Sequence, residues 1–336
     1  MRDYSIYFNF SSHVGKGAKM EAASHISPRE IQGITYCYSP AGAVLTARDG
    51  KVTIPLDEFP LPLLNEDYVT DTPSYDAVGR GIYQLLRIAP DAPFADRYAT
   101  LLKDAYPHLL AELATHLVML DKKDVDLPYL DRKISYLKIF ALLEPDNHRF
   151  PLEIGATLFD KALTLAALGN TTLHLFSAEK YLRMAHQLNP ADVQTRYLAG
   201  EVCFLLGKYS DAVEFWRDIG GSLPADETAR IERRLARITS GSLPAVPAVD
   251  YLQVVGVALE AFEAADYEEA AAIILDLLDV VSSLEEFPLA EINYLLGLCY
   301  LRLDIPKYAE QYLRQAVELR PGYTEALQEL ALLGVQ

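Results

Sequence analysis

The chain is poor in cysteine, tryptophan and methionine, with three, one and four of them among 336 residues. Cys37, Cys203 and Cys299 are odd in number and far apart. That fits free thiols in a reducing compartment and argues against a disulfide framework. Basic residues are also few, 30 against 47 acidic ones, which leaves a formal net charge of -17. A body that acidic repels phosphate backbones and anionic lipid surfaces. The pairs Arg233–Arg234 and Lys122–Lys123 lie among carboxylates or apolar residues and make no basic patch. No apolar run approaches the roughly 20 residues that cross a bilayer. The start, "MRDYSIYFNFSSH", has no apolar stretch of signal-peptide length. The expectation is a cytoplasmic protein with no nucleic-acid partner and no membrane insertion.

Catalytic signatures are missing too. HExxH, GxSxG, a CxxC pair and a complete phosphate loop are all absent from the sequence. "HVGKGAKM", residues 13 to 20, has Gly15, Lys16 and Gly17 but neither the loop spacing nor a Ser or Thr after the lysine. It reads as a connection. The seven histidines, His13, His25, His108, His116, His148, His174 and His186, are scattered. His108 and His116 fall about two helical turns apart, a rise of roughly 12 Å, too far to share one metal ion. Glu268–Glu269 and Glu285–Glu286 are adjacent pairs on solvated surface. The cysteines stand in apolar or β-prone runs without a nearby histidine, as small core residues do. No catalytic residue, metal ligand or cofactor is expected.

What the chain has is repetition. At 51% hydrophobic and 23% charged residues it is built to fold. "LAGEVCFLLGKYSDAVEFW", residues 198 to 216, spaces Gly200, Gly207, Tyr209, Ala212 and Trp216 as two short helices joined by a tight turn require. "LLGLCYLRLDIPKYAEQYLRQA", residues 295 to 316, repeats the logic. Gly297 stands for Gly200, Tyr300 for Cys203, Ala309 for Ala212, Leu313 for Trp216 and Ala316 for Ile219. Pro306 suits the first turn of a helix, where its missing amide hydrogen costs nothing. "VVGVALEAFEAADYEEAAAIILDLL" is a third copy through Tyr267, Ala270 and Ile274. A fourth, with a longer internal turn, supplies Ala178, Leu182, Ala185 and Pro190. Pro190 and Pro224 lie 34 residues apart, and Pro321 ends the last full unit. Helix pairs that cannot bury an apolar face alone stack into a solenoid.

Over residues 155 to 336 this pattern resembles the tetratricopeptide repeat family. The resemblance is carried by Gly200, Gly207, Tyr209, Ala212 and Pro224 in one unit. Leu296, Gly297, Tyr300, Ala309, Ala316 and Pro321 carry it in another. It implies antiparallel helix pairs in a right-handed superhelix whose inner face binds a peptide or protein. Ala265 and Asp304 replace the turn glycine in two units, so wider turns are expected there.

Residues 1–70 differ. "GITYCYS", "GAVLTAR" and "KVTIPLD" are β-prone, "RDG" (48–50) suits a hairpin turn, and "YSIYFNF" reads as a further strand. A sheet of three or four strands packed on the helices is expected, with "LDEFPLPLL" alternatively a strap across the solenoid. Residues 75–150 are helical, either degenerate repeats or a cap, with Lys133 at the small-residue position. Residues 151–238 hold repeats plus an extra amphipathic helix, "DETARIERRLARI". Residues 239–249 form a linker, either a hinge or a surface loop, and 250–336 hold repeats and the closing helix "YTEALQELALLG". The fold class is mostly α: an antiparallel helix-pair repeat solenoid with a small N-terminal β-containing region.

The inner face implied by the resemblance comprises Gln194, Tyr197, Glu201, Phe204 and Leu205 in one unit. Leu252, Val255, Leu259 and Phe262 continue it, followed by Glu291, Tyr294, Leu298, Leu301 and Arg302. An aromatic and aliphatic strip of this kind suits a peptide or helix. Tyr197 and Tyr294 stand where the family's carboxylate-clamp lysine would be, leaving Arg302 as the clear cation, which argues against a clamp. Either the strip is open to a partner, or it is covered by the N-terminal segment or by a second subunit in a homo-oligomer. The reading is a scaffold or adaptor that binds a protein or peptide and is not an enzyme. The alternatives are a chaperone for export or assembly of a partner subunit, and an enzyme. An enzymatic site would lie between the N-terminal region and the helices, using His108 or His116 with Asp104 or Glu112.

Overall fold

The structure, a computed structural model, describes residues 30–38, 42, 44–46, 53–56, 59–68, 73–120, 127–243, 246–281 and 289–334. The segments "YSIYFNF", "HVGKGAKM" and "RDG" lie outside the described residues. Strand β1 (Ile34–Tyr38) pairs antiparallel with β4 (Pro60–Leu64), and β2 (Val44–Thr46) with β3 (Thr53–Pro55). The expected sheet of three or four strands is therefore two separate two-stranded ladders. Pro60 and Pro62 bear on this directly. Two residues apart on one strand, both lack the amide hydrogen that a further neighbour on that edge would need. Nor is the second half of "LDEFPLPLL" a strap across the repeats. Leu61 and Leu63 are buried, and β4 lies on α1 (Tyr75–Ile88). At Gly81 of α1 a Cβ would fall 1.9 Å from the Pro62 carbonyl oxygen, so only glycine admits the strand. Helices α2 (Ala95–Ala105), α3 (Pro107–Leu120) and α4 (Leu127–Leu143) complete this first core. Tyr98 donates its hydroxyl proton to the Pro60 carbonyl at 2.5 Å.

The repeats follow as helix pairs. These are α5 (Arg149–Ala162) with α6 (Thr171–Leu188), and α7 (Val193–Leu205) with α8 (Tyr209–Trp216). After α9 (Ala225–Ser240) come α10 (Ala248–Glu263) with α11 (Tyr267–Val281), and α12 (Leu289–Arg302) with α13 (Pro306–Leu319). One contact recurs in three pairs. A Cβ on Gly155, Gly200 or Gly297 would lie 2.6, 2.2 or 2.8 Å from Leu182, Trp216 or Leu313 of the paired helix. In the third unit the small residue is Ala258, fully buried like Ala270 and Ile274. The Trp216 indole donates to the Tyr197 carbonyl at 3.3 Å and so lies along α7. Helix α14 (Thr324–Leu332) closes the array, with Tyr323, Ala326 and Leu330 packed on Leu313 and Ala316. The molecule is a mostly helical solenoid of paired helices with a small N-terminal β region. Among the described residues no helix is long and apolar enough to cross a membrane.

Two expectations need correcting. The turns without glycine are no wider than the one at Gly207. Lys208 N–H donates to the Cys203 carbonyl at 2.8 Å. Asp266 N–H to Ala261 and Ile305 N–H to Tyr300 repeat that bond at 2.9 Å each. Gly207, Ala265 and Asp304 take φ of 74°, 62° and 58°. The left-handed cap is thus kept with a side chain present, because the hydrogen bond and the stacking of the pair fix the turn. The linker at 239–249 is also shorter, since α9 runs to Ser240 and α10 starts at Ala248. Its end is seated: a Cβ on Gly207 would meet the Pro247 ring at 2.7 Å.

The long connection between α5 and α6 has a role of its own. Residues Leu165–Asn170 form a short 3-10 turn against which α10 packs. A Cβ on Gly256 would lie 2.6 Å from the Gly169 backbone, and Leu168 is buried in the core of α10 to α12. The second block of repeats is thereby joined to the first.

Left-handed alanine costs about 1 kcal/mol relative to glycine, partly offset by glycine's larger unfolded-state entropy. Ala265→Gly is expected to stabilise the chain by about 0.5–1 kcal/mol in urea unfolding. Asp304→Gly should gain less, because aspartate tolerates this conformation.

Candidate functional site

The inner residues of α7 are held by a capped helix start. Asp192 accepts the Thr195 amide at 2.7 Å and the Thr195 hydroxyl at 2.6 Å. Gln194 is exposed, whereas Tyr197, Glu201, Phe204 and Leu205 are buried. The cover over Tyr197, Glu201 and Phe204 is α9, and neither the N-terminal segment nor a second subunit is needed for it. Arg234 meets Glu201 at 2.5 Å, with both side chains only 5% exposed. The Arg234 guanidinium also stands 4.6 Å from the Phe204 ring centroid and 6.0 Å from that of Trp216. Arg230 donates to the Tyr197 hydroxyl and lies 5.8 Å from its ring centroid. Arg237 is 5.9 Å from the Phe204 ring. Burial, then the nearby Glu201 carboxylate, pushes the Tyr197 phenol up to about 12. Ile231 is buried beside these contacts, with Leu235 and Ile238 packed on the same core.

The other candidates are placed differently. Leu252 and Val255 are fully buried core. Leu259 and Phe262 are half-buried, Phe262 edge-on to Tyr267 with centroids 5.2 Å apart. In α12, Glu291 pairs with Arg320, and Tyr294 packs 5.1 Å from the Tyr323 ring. Leu301 joins the α14 cluster, so the closing helix covers this end of the strip. Burial, with Glu329 and Glu325 nearby, raises the Tyr294 phenol. Leu298 is half-buried and Arg302 exposed. Along the strip Gln194 and Arg302 are exposed, and Leu259, Phe262, Glu291, Tyr294, Leu298 and Leu301 are half-buried. The residues sequence reasoning missed are Arg230, Arg234 and Arg237. The available signal was a lone carboxylate, Glu201, on an otherwise apolar helix face, matched by arginines at helical spacing in "ARIERRLARI".

Cys203 has unexpected company. A carboxylate oxygen each from Glu179 and Asp211 and the Cys203 sulfur lie within 4.8 Å of one another, a spacing that a metal ion can bridge. Two side-chain cations occupy that neighbourhood. Arg183 bonds Glu179 at 2.9 Å and also Asp211, with a nitrogen 3.8 Å from the Cys203 sulfur. Lys208 reaches Glu179 at 2.6 Å. Burial pushes the Cys203 thiol up to about 12, the nearby Glu179 adding to it, and burial pushes Cys299 to about 11. A metal ion would have to displace both cations and deprotonate a thiol held neutral. The cluster acts as an ion-pair network tying α6, α7 and the turn into α8 together. Of the residues an enzymatic site would use, Asp104 is exposed, and the other three make contacts that do not converge. His108 is exposed and edge-on to Tyr106, His116 stacks 6.3 Å from Tyr136, and Glu112 accepts from the Tyr83 hydroxyl at 2.7 Å.

Comparison with known proteins finds no matching family model and no matching curated protein. Solved structures of tetratricopeptide repeat proteins are similar at a distance. The repeat domain of P58(IPK) is 19% identical over 66% of this chain and 55% of its own, with a TM-score of 0.30. A tetratricopeptide repeat protein from Parabacteroides merdae is 14% identical over 77% of this chain and 91% of its own, TM-score 0.26. The APC/C hetero-tetramer Cut9–Hcn1 gives 18%, 77% and 56%, TM-score 0.27. The chain spans little more than half the length of the first and third of these. At such TM-scores the likeness carries no weight for partner or pathway. The repeat architecture rests on the chain's own packing.

Replacing Glu201 by glutamine leaves the Arg234 charge buried without its carboxylate, a change worth about 3–5 kcal/mol. Glu201→Gln should therefore lower the urea midpoint sharply, whereas Glu310→Gln, at an exposed i,i+4 pair with Arg314, should cost under about 1 kcal/mol. Thiol accessibility gives an independent check on the cysteines. At pH 8 the native chain should react with a disulfide reagent at half-buried Cys37 only, and at all three cysteines after unfolding.

Proposed function

We propose that this chain is a protein–protein interaction scaffold whose inner face receives a helix of a partner, with no chemistry of its own. The observation that carries this reading is that α7 already holds a helix on that face. It does so with aromatic rings, one buried carboxylate and an apolar floor, the means by which a groove grips an amphipathic helix. Beyond α9 the strip continues through Leu259, Phe262 and Leu298 with Arg302 at its edge, all partly or fully reached by solvent. A net charge of -17 favours a partner with basic flanks by raising the encounter rate and rejecting acidic competitors. Of the acid–base groups of the N-terminal helices, His116 and Glu112 are engaged with Tyr136 and Tyr83 while Asp104 and His108 stand exposed, which favours a binding role over catalysis.

Photoreactive residues placed singly at Leu298 and Arg302, in the native cell, test the reading. A discrete adduct of one mass from both positions, absent when the residue is placed at exposed Leu319, is the expected outcome. An adduct of twice the chain mass would make the strip a subunit interface. No adduct at either position would sink the scaffold reading for this face.

A further inference from the structure

We infer that the α7 face is a receptor for an arginine-bearing amphipathic helix of a partner, and that α9 is its resident occupant, exchanged when that helix arrives. The inference rests on the scaffold reading and names the ligand class.

The recognition chemistry is set out by α9 itself. Arg230, Arg234 and Arg237 fall at i, i+4 and i+7 and meet the Tyr197 hydroxyl, the Glu201 carboxylate and the Phe204 ring. Ile231 is buried between them, and Leu235 and Ile238 continue the apolar side. A helix reading Arg-Ile-x-x-Arg-Leu-x-Arg-Ile therefore meets Tyr197, Glu201 and Phe204 together. A partner helix of that pattern makes the same contacts.

Three features make α9 an occupant of the solenoid more than a member of it. First, it belongs to no repeat pair, since α7 packs with α8 and α10 with α11. Second, the two blocks are joined elsewhere, through Gly256 on Gly169 and Pro247 on Gly207, so the array keeps its connection when α9 leaves. Third, both ends of α9 are jointed. Asp218 and Gly241 are left-handed at φ 62° and 70°, and Gly221, Ser222, Gly241 and Ser242 are exposed. The central ion pair suits exchange as well. An incoming arginine undergoes the same desolvation and makes the same ion pair with Glu201 as Arg234 does, so replacing one by the other is nearly neutral. The tether gives α9 an effective concentration of the order of millimolar. It therefore stays seated until a partner adds contacts along the neighbouring strip.

The test uses a fluorescent peptide of residues 225–240, titrated by anisotropy into the full chain and into its Arg234→Glu variant. In the variant α9 carries a carboxylate against Glu201 and leaves the face. Binding at least tenfold tighter to the variant than to the wild type is expected, with no binding by a peptide carrying the same Arg→Glu change. A variant that is folded by circular dichroism and gel filtration yet gains no affinity overturns the proposal. If the variant does not fold, hydrogen exchange on the wild type decides. Amides of α9 exchanging at least tenfold faster than those of α7 support exchangeable docking, and equal protection overturns it. Peptide binding without an adduct at Leu298 and Arg302 would keep the receptor and sink the scaffold reading there. An adduct without peptide binding would do the reverse.

Discussion

The close approach of one helix to its partner, permitted by a missing side chain, is the constraint on which the rest depends. Gly155, Gly200 and Gly297 let Leu182, Trp216 and Leu313 lie on the backbone of the paired helix. That approach fixes how each pair crosses and hence which face it offers to the next. It also fixes the turn between them. Ala265 and Asp304 are held left-handed although neither is glycine, because the pair would otherwise lose its register. Strain in the turn is the smaller loss, of the order of 1 kcal/mol against several for a disrupted core.

Within that frame, polar chemistry is spent on joining elements. Glu201 and Arg234 join α7 to α9; Glu179, Asp211, Arg183 and Lys208 join α6, α7 and α8 around Cys203. A buried charge without a partner is costly, so each such carboxylate comes with at least one cation from another helix or turn. Thiols and phenols in these places are pushed away from the ionised form by burial. The molecule thus has polar clusters dense enough to resemble sites, with the charges already paired with one another.

The helix pairs were legible because small and large residues recur at intervals set by the geometry of two packed helices, which is local information. Buried Cys203 and Cys299 followed from the same periodicity, as did the amphipathic helix at 226–238. The inner face was legible only as a list of positions. Tyr197, Glu201, Phe204 and Leu205 share one side of α7 by their spacing alone. That α9 lies over three of them depends on two separate segments meeting; the arginine spacing of 230–237 hints at an acidic counterpart but does not say which helix supplies it. The two-stranded ladders at the N-terminus were misjudged for a related reason: β propensity marks strands but not their neighbours.

The sequence by itself determined the element types, the pairing of consecutive helices and the acidic character of the surface, since each depends on residues close along the chain or on composition. Tertiary structure alone decided where α9 docks, how α10 finds its seat on the 165–170 turn, and which part of the inner strip solvent reaches. These are contacts between segments tens of residues apart. Their free energy comes from shape and charge matched across the gap, which no single stretch of sequence contains.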